Sequence, residues 1–375
     1  MGRALTRPPQ AIVSPPAAGR PAGRPVHPWA WWVWAIGAAV AVSLARNPLL
    51  LTLLVAAVIF VVLQRRSQAV WARSLGVYLL LAVVIVAVRL VFQIVLGGLR
   101  EGTVVFRLPE IGLPAWAAGI RLGGPVTLEG LLFTGFDAAR MAGLLLAIGA
   151  ANTLANPRRT LRNVPAACHQ VATALVIAIS VAPQLIESVF RVRRARRLRG
   201  GPGGGFRGLA SVVVPVLEDA IDRSLALAAG MESRGYGRTR AGGRLGAAEA
   251  AALLIAMLTI VFGTFVLLGL PGGTGWASGL LGFGLLCGVW ALRQSGARLG
   301  VTRYRPDRFG GPEWVVCLCG ILAGASVVWL AHSDPAMSVA AYPLVWPRLS
   351  WPMILAAAII AVPGVATPPE KGSDR

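Results

Sequence analysis

The sequence predicts an all-α integral membrane protein, with about eight transmembrane helices and two further long helices on the cytoplasmic side. Three observations carry that expectation. Of 375 residues, 56% are hydrophobic and only 14% are charged, with a mean hydropathy of +0.68. A soluble chain of this length needs a more polar surface. The apolar residues are gathered into runs long enough to cross hydrocarbon about 30 Å thick. The 36 basic residues outnumber the 15 acidic ones, giving a net charge of +21, and most lie beside the apolar runs.

Residues 1–27 carry Arg3, Arg7, Arg20 and Arg24 among prolines, glycines and alanines, without an acid. They read as a disordered cytoplasmic tail, because the following apolar run arrives too late and lasts too long for a signal peptide. An N-terminal transmembrane region, 28–155, follows. Its first span covers 29–44, where Trp29, Trp31, Trp32 and Trp34 suit a membrane interface. Arg46, Asn47 and Pro48 make a turn into a second span over 49–63, and both spans are slightly short. The third, 74–98, contains Arg89, and the fourth, 130–154, contains Arg140. An unpaired guanidinium deep in lipid is costly, so each should face protein or reach toward a boundary. Between them, 99–128 is rich in Gly and Pro and reads as an external loop, with a surface-lying segment around Trp116.

Residues 156–245 form a cytoplasmic region. Within it, 164–190 is apolar enough to span. In 208–230, Leu209, Val213, Leu217, Ile221, Leu225 and Ala228 recur at helical spacing beside Glu218, Asp219, Asp222 and Arg223. That is an amphipathic helix. Charge decides the first segment. If 164–190 does not cross, Arg65, Arg66, Arg73, Arg158, Arg159, Arg162, the 191–199 cluster, Arg207 and Arg234 through Arg244 all lie inside, and later so do Arg293, Arg298, Arg303, Arg305 and Arg308. Arg100, Arg107, Arg121 and Arg348 then lie outside. If it crosses, the positive-inside bias breaks. Both segments therefore read as helices on the cytoplasmic face. A transmembrane hairpin over 246–292, with spans 247–269 and 276–292, precedes a basic cytoplasmic loop at 293–311. A C-terminal transmembrane region over 312–366 has spans 313–331 and 350–366, and 367–375 forms a second tail. Both termini fall inside. Gly284-x-x-x-Gly288 and Gly320-x-x-x-Gly324 place small residues on one helix face, which permits close packing.

The basic excess does not point to nucleic acid, since no zinc finger, recognition helix or RNA-binding aromatic pattern accompanies it. Arginines beside apolar spans hold loops on the cytoplasmic side and meet anionic lipid. Cys168, Cys287, Cys317 and Cys319 have neither zinc spacing nor a disulfide framework, and read as small apolar residues. Asp137, Glu187, Glu218, Asp219, Asp222, Cys168 and His169 are the polar groups a membrane enzyme could use, but they form no recognised catalytic signature. Arg89 and Arg140 raise a second alternative, a self-contained secondary transporter. The chain has no phosphate-binding loop of its own.

The least ordinary feature is Arg191 to Gly200, where Arg191, Arg193, Arg194, Arg196, Arg197 and Arg199 crowd a helix end that a glycine closes. Gly201, Gly203, Gly204 and Gly205 continue it as a flexible hinge, and Glu187 is spaced to pair with Arg191. A second stretch, Gly230 to Gly237, again ends an amphipathic helix in Arg-Gly, at Arg234 and Gly235, with Met231, Glu232 and Tyr236 around it. Each end could present a guanidinium fork to a carboxylate or helix C-terminus of a soluble partner.

With these motifs the chain resembles the transmembrane T component of energy-coupling factor (ECF) transporters, the EcfT/CbiQ family, over roughly residues 27–290. The resemblance rests on His27-Pro28, Asn47-Pro48, Asn152 to Pro157, Val164-Pro165 and above all two paired signatures. The family pattern Ala-Gln-Arg-Ala-Arg-Gly falls on Ala195-Arg-Arg-Leu-Arg-Gly200, which includes Arg196 and Arg197. The pattern Ala-Met-Glu-Ala-Arg-Gly-Tyr/Phe falls on Gly230-Met-Glu-Ser-Arg-Gly-Tyr236. Leu198, Ser233 and Gly230 depart from it. The resemblance implies two coupling helices whose Arg199, Gly200, Arg234 and Gly235 engage grooves on two cytoplasmic ABC-type ATPases. It also implies ATP and Mg bound in those partners, no cofactor in this chain, and a small membrane substrate-binding S component. The implied function is a non-catalytic subunit of a vitamin or transition-metal importer in a prokaryotic cell membrane.

Overall fold

The computed structural model describes residues 26–65, 75–96, 102–112, 121–164, 168–200, 205–236, 246–269, 274–298, 307, 309–337 and 346–367. In chain order the elements are α1 (Pro28–Leu44), α2 (Pro48–Arg65), α3 (Leu75–Leu96), β1 (Val104–Gly112), β2 (Arg121–Thr127), α4 (Leu128–Leu154), α5 (Pro157–Arg162), α6 (His169–Leu198) and α7 (Gly205–Ser233). Then come α8 (Ala247–Gly269), α9 (Thr274–Arg298), α10 (Gly311–Ser333), a 3₁₀ turn (Pro335–Met337), α11 (Trp351–Ala361) and α12 (Pro363–Ala366). Among the described residues, seven helices are long and apolar enough to cross a membrane: α2, α3, α4, α6, α8, α9 and α10. Helix α1 and the α11–α12 pair are apolar but shorter. These helices make the chain a multi-pass membrane protein. Length and composition place α6 among these candidates, whereas the sequence predicts a helix on the cytoplasmic face there.

The chain divides into two units, one joining Met1–Pro157 to Arg308–Arg375 and the other covering Arg158–Asp307. The first is built around α1. Trp34, Ala38, Ala41 and Val42 of α1, Leu50, Leu54 and Val58 of α2, Ala147 and Ala151 of α4, Val316, Ala323 and Val327 of α10, and Met353 and Ile360 of α11 share one buried core. Small residues make the α1–α10 seam. A β-carbon on Gly37 would lie 2.0 Å from the Gly320 carbonyl oxygen, and one on Gly320 would lie 2.4 Å from Trp34 Cα. The backbones touch there, as small-residue packing between apolar helices requires. The Gly320-x-x-x-Gly324 spacing thus marks an actual contact face, with Gly324 also near Gly37.

Polar groups fix the ends of this core. His27 accepts from Trp29 N–H through Nδ1 and donates its own N–H to Glu313 Oε1 at 3.3 Å, while Glu313 Oε2 accepts from Gly310 N–H at 2.8 Å. Asn47 is fully buried between α1 and α2. Its Nδ2 donates to the Ala336 and Arg348 carbonyls at 2.9 and 2.8 Å, and its Oδ1 accepts from Leu49 N–H at 2.9 Å. Trp34 Nε1 donates to the Ile360 carbonyl at 3.2 Å, and Arg65 Nη2 donates to the Gly364 carbonyl at 2.8 Å. The C-terminal helices are therefore tied into the first pair of helices.

The external loop expected over 99–128 contains regular structure, and among the described residues the fold is helical apart from it. Strands β1 and β2 pair antiparallel from Val104 opposite Thr127 to Gly112 opposite Arg121. The glycines read as loop signals serve the hairpin. Gly123 and Gly124 have φ of 82° and 106°, and a β-carbon on Gly123 would lie 2.2 Å from the Pro109 carbonyl oxygen. The segment around Trp116 lies outside the described residues. The hairpin leads directly into α4, whose N-terminus is capped by Thr127 Oγ1 accepting from Gly130 N–H at 3.3 Å. Helix α4 packs on α3, where Gly149 makes room for the Tyr78 ring and Asn152 donates to Tyr78 Oη at 2.8 Å.

In the second unit α8 and α9 pair closely. A β-carbon on Gly284 would lie 2.6 Å from Thr259 Oγ1, whereas one on Gly288 would sit at an ordinary 3.6 Å from Ala256 Cβ. The short helix α5 was not anticipated. Arg159 donates to Asp307 at 3.0 Å, and so does Asn163 from the turn that follows α5. Burial alone would raise the Asp307 carboxyl, but these donors hold it below its usual range. The basic tail over 1–25, Arg66, Arg73, Arg100, Pro165, the hinge glycines 201–204, Arg238 to Arg244, most of the 270–275 turn, Arg303, Arg305, Arg308 and 368–375 lie outside the described residues.

Candidate functional site

Helices α6 and α7 are long, mostly exposed and joined by one polar clasp. Ser188 is among the few buried residues of α6, and its hydroxyl donates to Asp219 Oδ2 of α7 at 2.6 Å. Arg223 donates to both Asp219 oxygens, at 3.1 and 2.9 Å, and to Gln184 Oε1 at 3.0 Å. Donation from Ser188, and then from Arg223, holds the Asp219 carboxyl below its usual range. The expected Glu187–Arg191 pair does not form. Both side chains are exposed, and the carboxylate that feels Arg191 is Asp219.

The pairing of 188 with 219 and of 184 with 223 means that α6 and α7 run in opposite directions through the clasp. Their C-terminal ends therefore leave it on opposite sides. Arg199 lies eleven residues beyond Ser188, about 16 Å of helix, and Arg234 lies fifteen beyond Asp219, about 22 Å. The amphipathic stripe of α7 stays open, with Leu209, Val213, Leu217, Ile221 and Leu225 all exposed.

The two ends share one geometry. At the end of α7, Gly235 N–H bonds to the Glu232 carbonyl at 2.9 Å and Tyr236 N–H to the Met231 carbonyl at 3.0 Å, with Gly235 at φ 78°. That is a Schellman cap, with Arg234 at the C-cap and glycine in the left-handed position after it. At the end of α6, Arg199 N–H bonds to the Arg196 carbonyl and Gly200 N–H to the Arg197 carbonyl, with Gly200 at φ 65°. Arg199 thus occupies the same cap position as Arg234. No atom lies within 4 Å of a β-carbon built on either glycine, so the backbone conformation, not a neighbour, calls for glycine there. Arg199 and Arg234 are exposed, as are Ala195, Arg197, Glu232 and Tyr236, whereas Arg196 and Met231 are half-buried. Of the three departing residues, Leu198 stands 84% exposed, and Ser233 turns its hydroxyl back to the carbonyl of the third, Gly230, at 3.0 Å.

The other candidate polar groups do not converge. Among the described residues no group of three His, Cys, Asp or Glu side chains is placed to hold a metal. Cys168 is half-buried at the start of α6, His169 is exposed beside it, and Glu218 and Asp222 point outward from α7. Cys317 and Cys319 are buried in the first unit, and all four cysteines are free. Arg89 and Arg140 are not isolated. Both pair with Asp137, which joins α3 to α4. Asp137 lies three residues before Arg140, a helical pairing distance that could have revealed half of this triad. Ser188 had no comparable signal, because its partner is remote in sequence.

A protein-family model, CbiQ, described as cobalt transport protein, matches residues 26–243, more than half of the chain and both arginine-ended helices. No curated protein matches the chain.

Proposed function

This chain belongs to the CbiQ family of cobalt transport proteins, the T components of energy-coupling factor transporters, and on that premise we propose that its two arginine-ended helices couple ATP hydrolysis to transport. Members of the family are non-catalytic transport subunits. Arg199 and Arg234 each contact a groove of a separate cytoplasmic ABC-type ATPase, where ATP and Mg bind. Gly200 and Gly235 hold the turn that exposes each guanidinium, with Ala195, Arg196, Arg197, Met231, Glu232 and Tyr236 supporting the contact. Motion of the ATPases passes through α6 and α7 to the membrane helices, which reorient a small substrate-binding S component. The cargo class is a vitamin or a transition-metal ion. In this reading eight helices cross the membrane, namely α1 to α4 and α8 to α11. Residues 156–245 and both termini are cytoplasmic, against anionic lipid.

The observation that carries this reading is the repetition of an exposed C-cap arginine followed by a left-handed glycine, at two ends that leave one clasp in opposite directions. A helix cap alone needs the glycine but not the arginine. The test is co-purification with the two ATPases. Charge-assisted bonds contribute about 1.5–3 kcal/mol each, so Arg199→Ala or Arg234→Ala should weaken ATPase association about tenfold or more without unfolding the chain. Unchanged association and uptake in the double variant would sink the proposal. Uptake driven by an ion gradient in vesicles lacking ATPases would instead favour a self-contained secondary transporter.

A further inference from the structure

The triad of Arg89, Asp137 and Arg140 has one carboxylate for two guanidiniums, and it sits on two membrane helices. Arg89 lies seven residues before the end of α3, about 10 Å of helix, and Asp137 lies nine after the start of α4, about 14 Å. Both positions are well inside a hydrocarbon layer about 30 Å thick. The side chains are 41%, 24% and 35% exposed for Arg89, Asp137 and Arg140. Around them Val88, Phe92, Phe133, Phe136 and Met141 are exposed, so the charges open onto an apolar surface. Among the described residues no other carboxylate pairs with either arginine, and the remaining polar contact is Arg89 Nη2 to Met141 Sδ at 3.0 Å.

A net positive charge facing hydrocarbon is expensive unless a second anion meets it. A lipid phosphate lies above this depth, and the guanidiniums turn to Asp137 rather than toward the surface. A second copy of this chain is a poor source, since besides Asp137 the described acids of α4, α8 and α10, namely Glu129, Glu249 and Glu313, are buried, and the exposed Glu187 stands on α6, outside the eight spans of the proposed topology. We propose that Arg89 and Arg140, sharing Asp137, form a docking site within the membrane for an Asp or Glu side chain on a transmembrane helix of a different protein. The apolar rim excludes lipid and water, and the acid completes a neutral four-charge cluster. The site stands on α3 and α4 and holds whether or not α6 and α7 engage ATPases.

The test uses the full chain in phosphatidylcholine vesicles with a fluorescent polyleucine transmembrane peptide. One peptide carries a central Glu and the control a central Gln, and energy transfer reports association at about pH 8, where a carboxyl paired with guanidinium is ionised. The Glu peptide should bind about tenfold more tightly than the Gln peptide. Arg140→Gln, which keeps the Arg89–Asp137 link between helices, should erase that difference. Arg89→Gln, which keeps the pair within α4, should do the same, and size-exclusion profiles check that both remain folded. Asp137→Asn, which frees both guanidiniums, should strengthen Glu-peptide binding. Equal binding of the two peptides, or the same loss in the Asp137 and Arg140 variants, would overturn the proposal. So would phosphatidylglycerol that abolishes the Glu advantage and is retained by the wild type but not by Arg140→Gln, because the anion would then be lipid.

Discussion

Replacing Gly37 by Ala tests whether α10 is part of the membrane core. The added carbon would lie 2.0 Å from the Gly320 oxygen, 2.4 Å from its carbonyl carbon and 2.9 Å from its Cα. All three are backbone atoms, so no side chain can swing aside. A carbon–oxygen contact needs about 3.3 Å, so the helices must part by about 1.3 Å at this point. A gap of about 0.5–1 Å already forfeits a quarter to a half of each dispersion contact beside it. Trp34 and Ala38 on α1 and Val316 and Ala323 on α10 are all buried in the same core. Overpacking of this kind costs about 1–3 kcal/mol, a fall in melting temperature of about 1–4 °C for a chain of this length. The comparison is Gly288→Ala, which also lies in a four-residue glycine repeat but whose β-carbon meets Ala256 Cβ at 3.6 Å. Thermal melting in detergent, followed by size exclusion, should separate the two variants. If Gly37→Ala melts within about 1 °C of wild type, or no lower than Gly288→Ala, the backbone seam is not as described.

Three further outcomes follow from single groups. Gly235→Ala forces a β-carbon into φ 78°, at about 1–2 kcal/mol, and should lower exchange protection of the Tyr236 amide; Gly230→Ala, with open space around it, should not. Asn47→Ala strips donors from the Ala336 and Arg348 carbonyls and an acceptor from Leu49 N–H, and should cost about 2–4 kcal/mol in chemical unfolding. The Asp219 carboxyl is depressed in the folded chain, so its contribution is present above the unfolded value of about 3.9 and is lost as pH falls through the lower folded value. A distance label on α6 and one on α7 should therefore report separation in acid below about pH 4, and Asp219→Asn should remove that step.

Apolar runs were the legible part of this fold. Spans read at 49–63, 74–98, 130–154 and 247–269 correspond to α2, α3, α4 and α8, because hydrocarbon imposes one length and one polarity on any crossing segment. The two arginine-ended helices were legible for a different reason. Glycine after a C-cap arginine is a local signal, and its φ was implied by the residue type. What escaped depended on partners far along the chain. Gly37 is a lone glycine until Gly320 is brought against it. Asp137 reads as one loose polar group among several until α3 places Arg89 beside it. The hairpin of β1 and β2 escaped because glycine and proline, which mark loops, also permit the close strand approach at Gly123.

The two kinds of helix contact have different physical consequences. Between apolar helices there is little hydrophobic gain on association, so adhesion depends on close packing. The α1–α10 seam is therefore made of backbone, and it cannot slide without clashing. Helices α6 and α7 are held by the hydrogen bonds from Ser188 to Asp219 and from Arg223 to Gln184, with few buried side chains elsewhere along their length. Such a contact opens at far lower cost than a packed seam. The family match ends at residue 243, yet Val316, Gly320, Met353 and Ile360, all beyond it, complete the packing of α1 and α2. Without them Trp34 Nε1 would lose the Ile360 carbonyl and the small-residue face of α1 would lose the backbone it fits. The C-terminal helices are thus part of the scaffold in this chain, and stiffness is concentrated there, while the arginine-ended pair is held by contacts weak enough to rearrange.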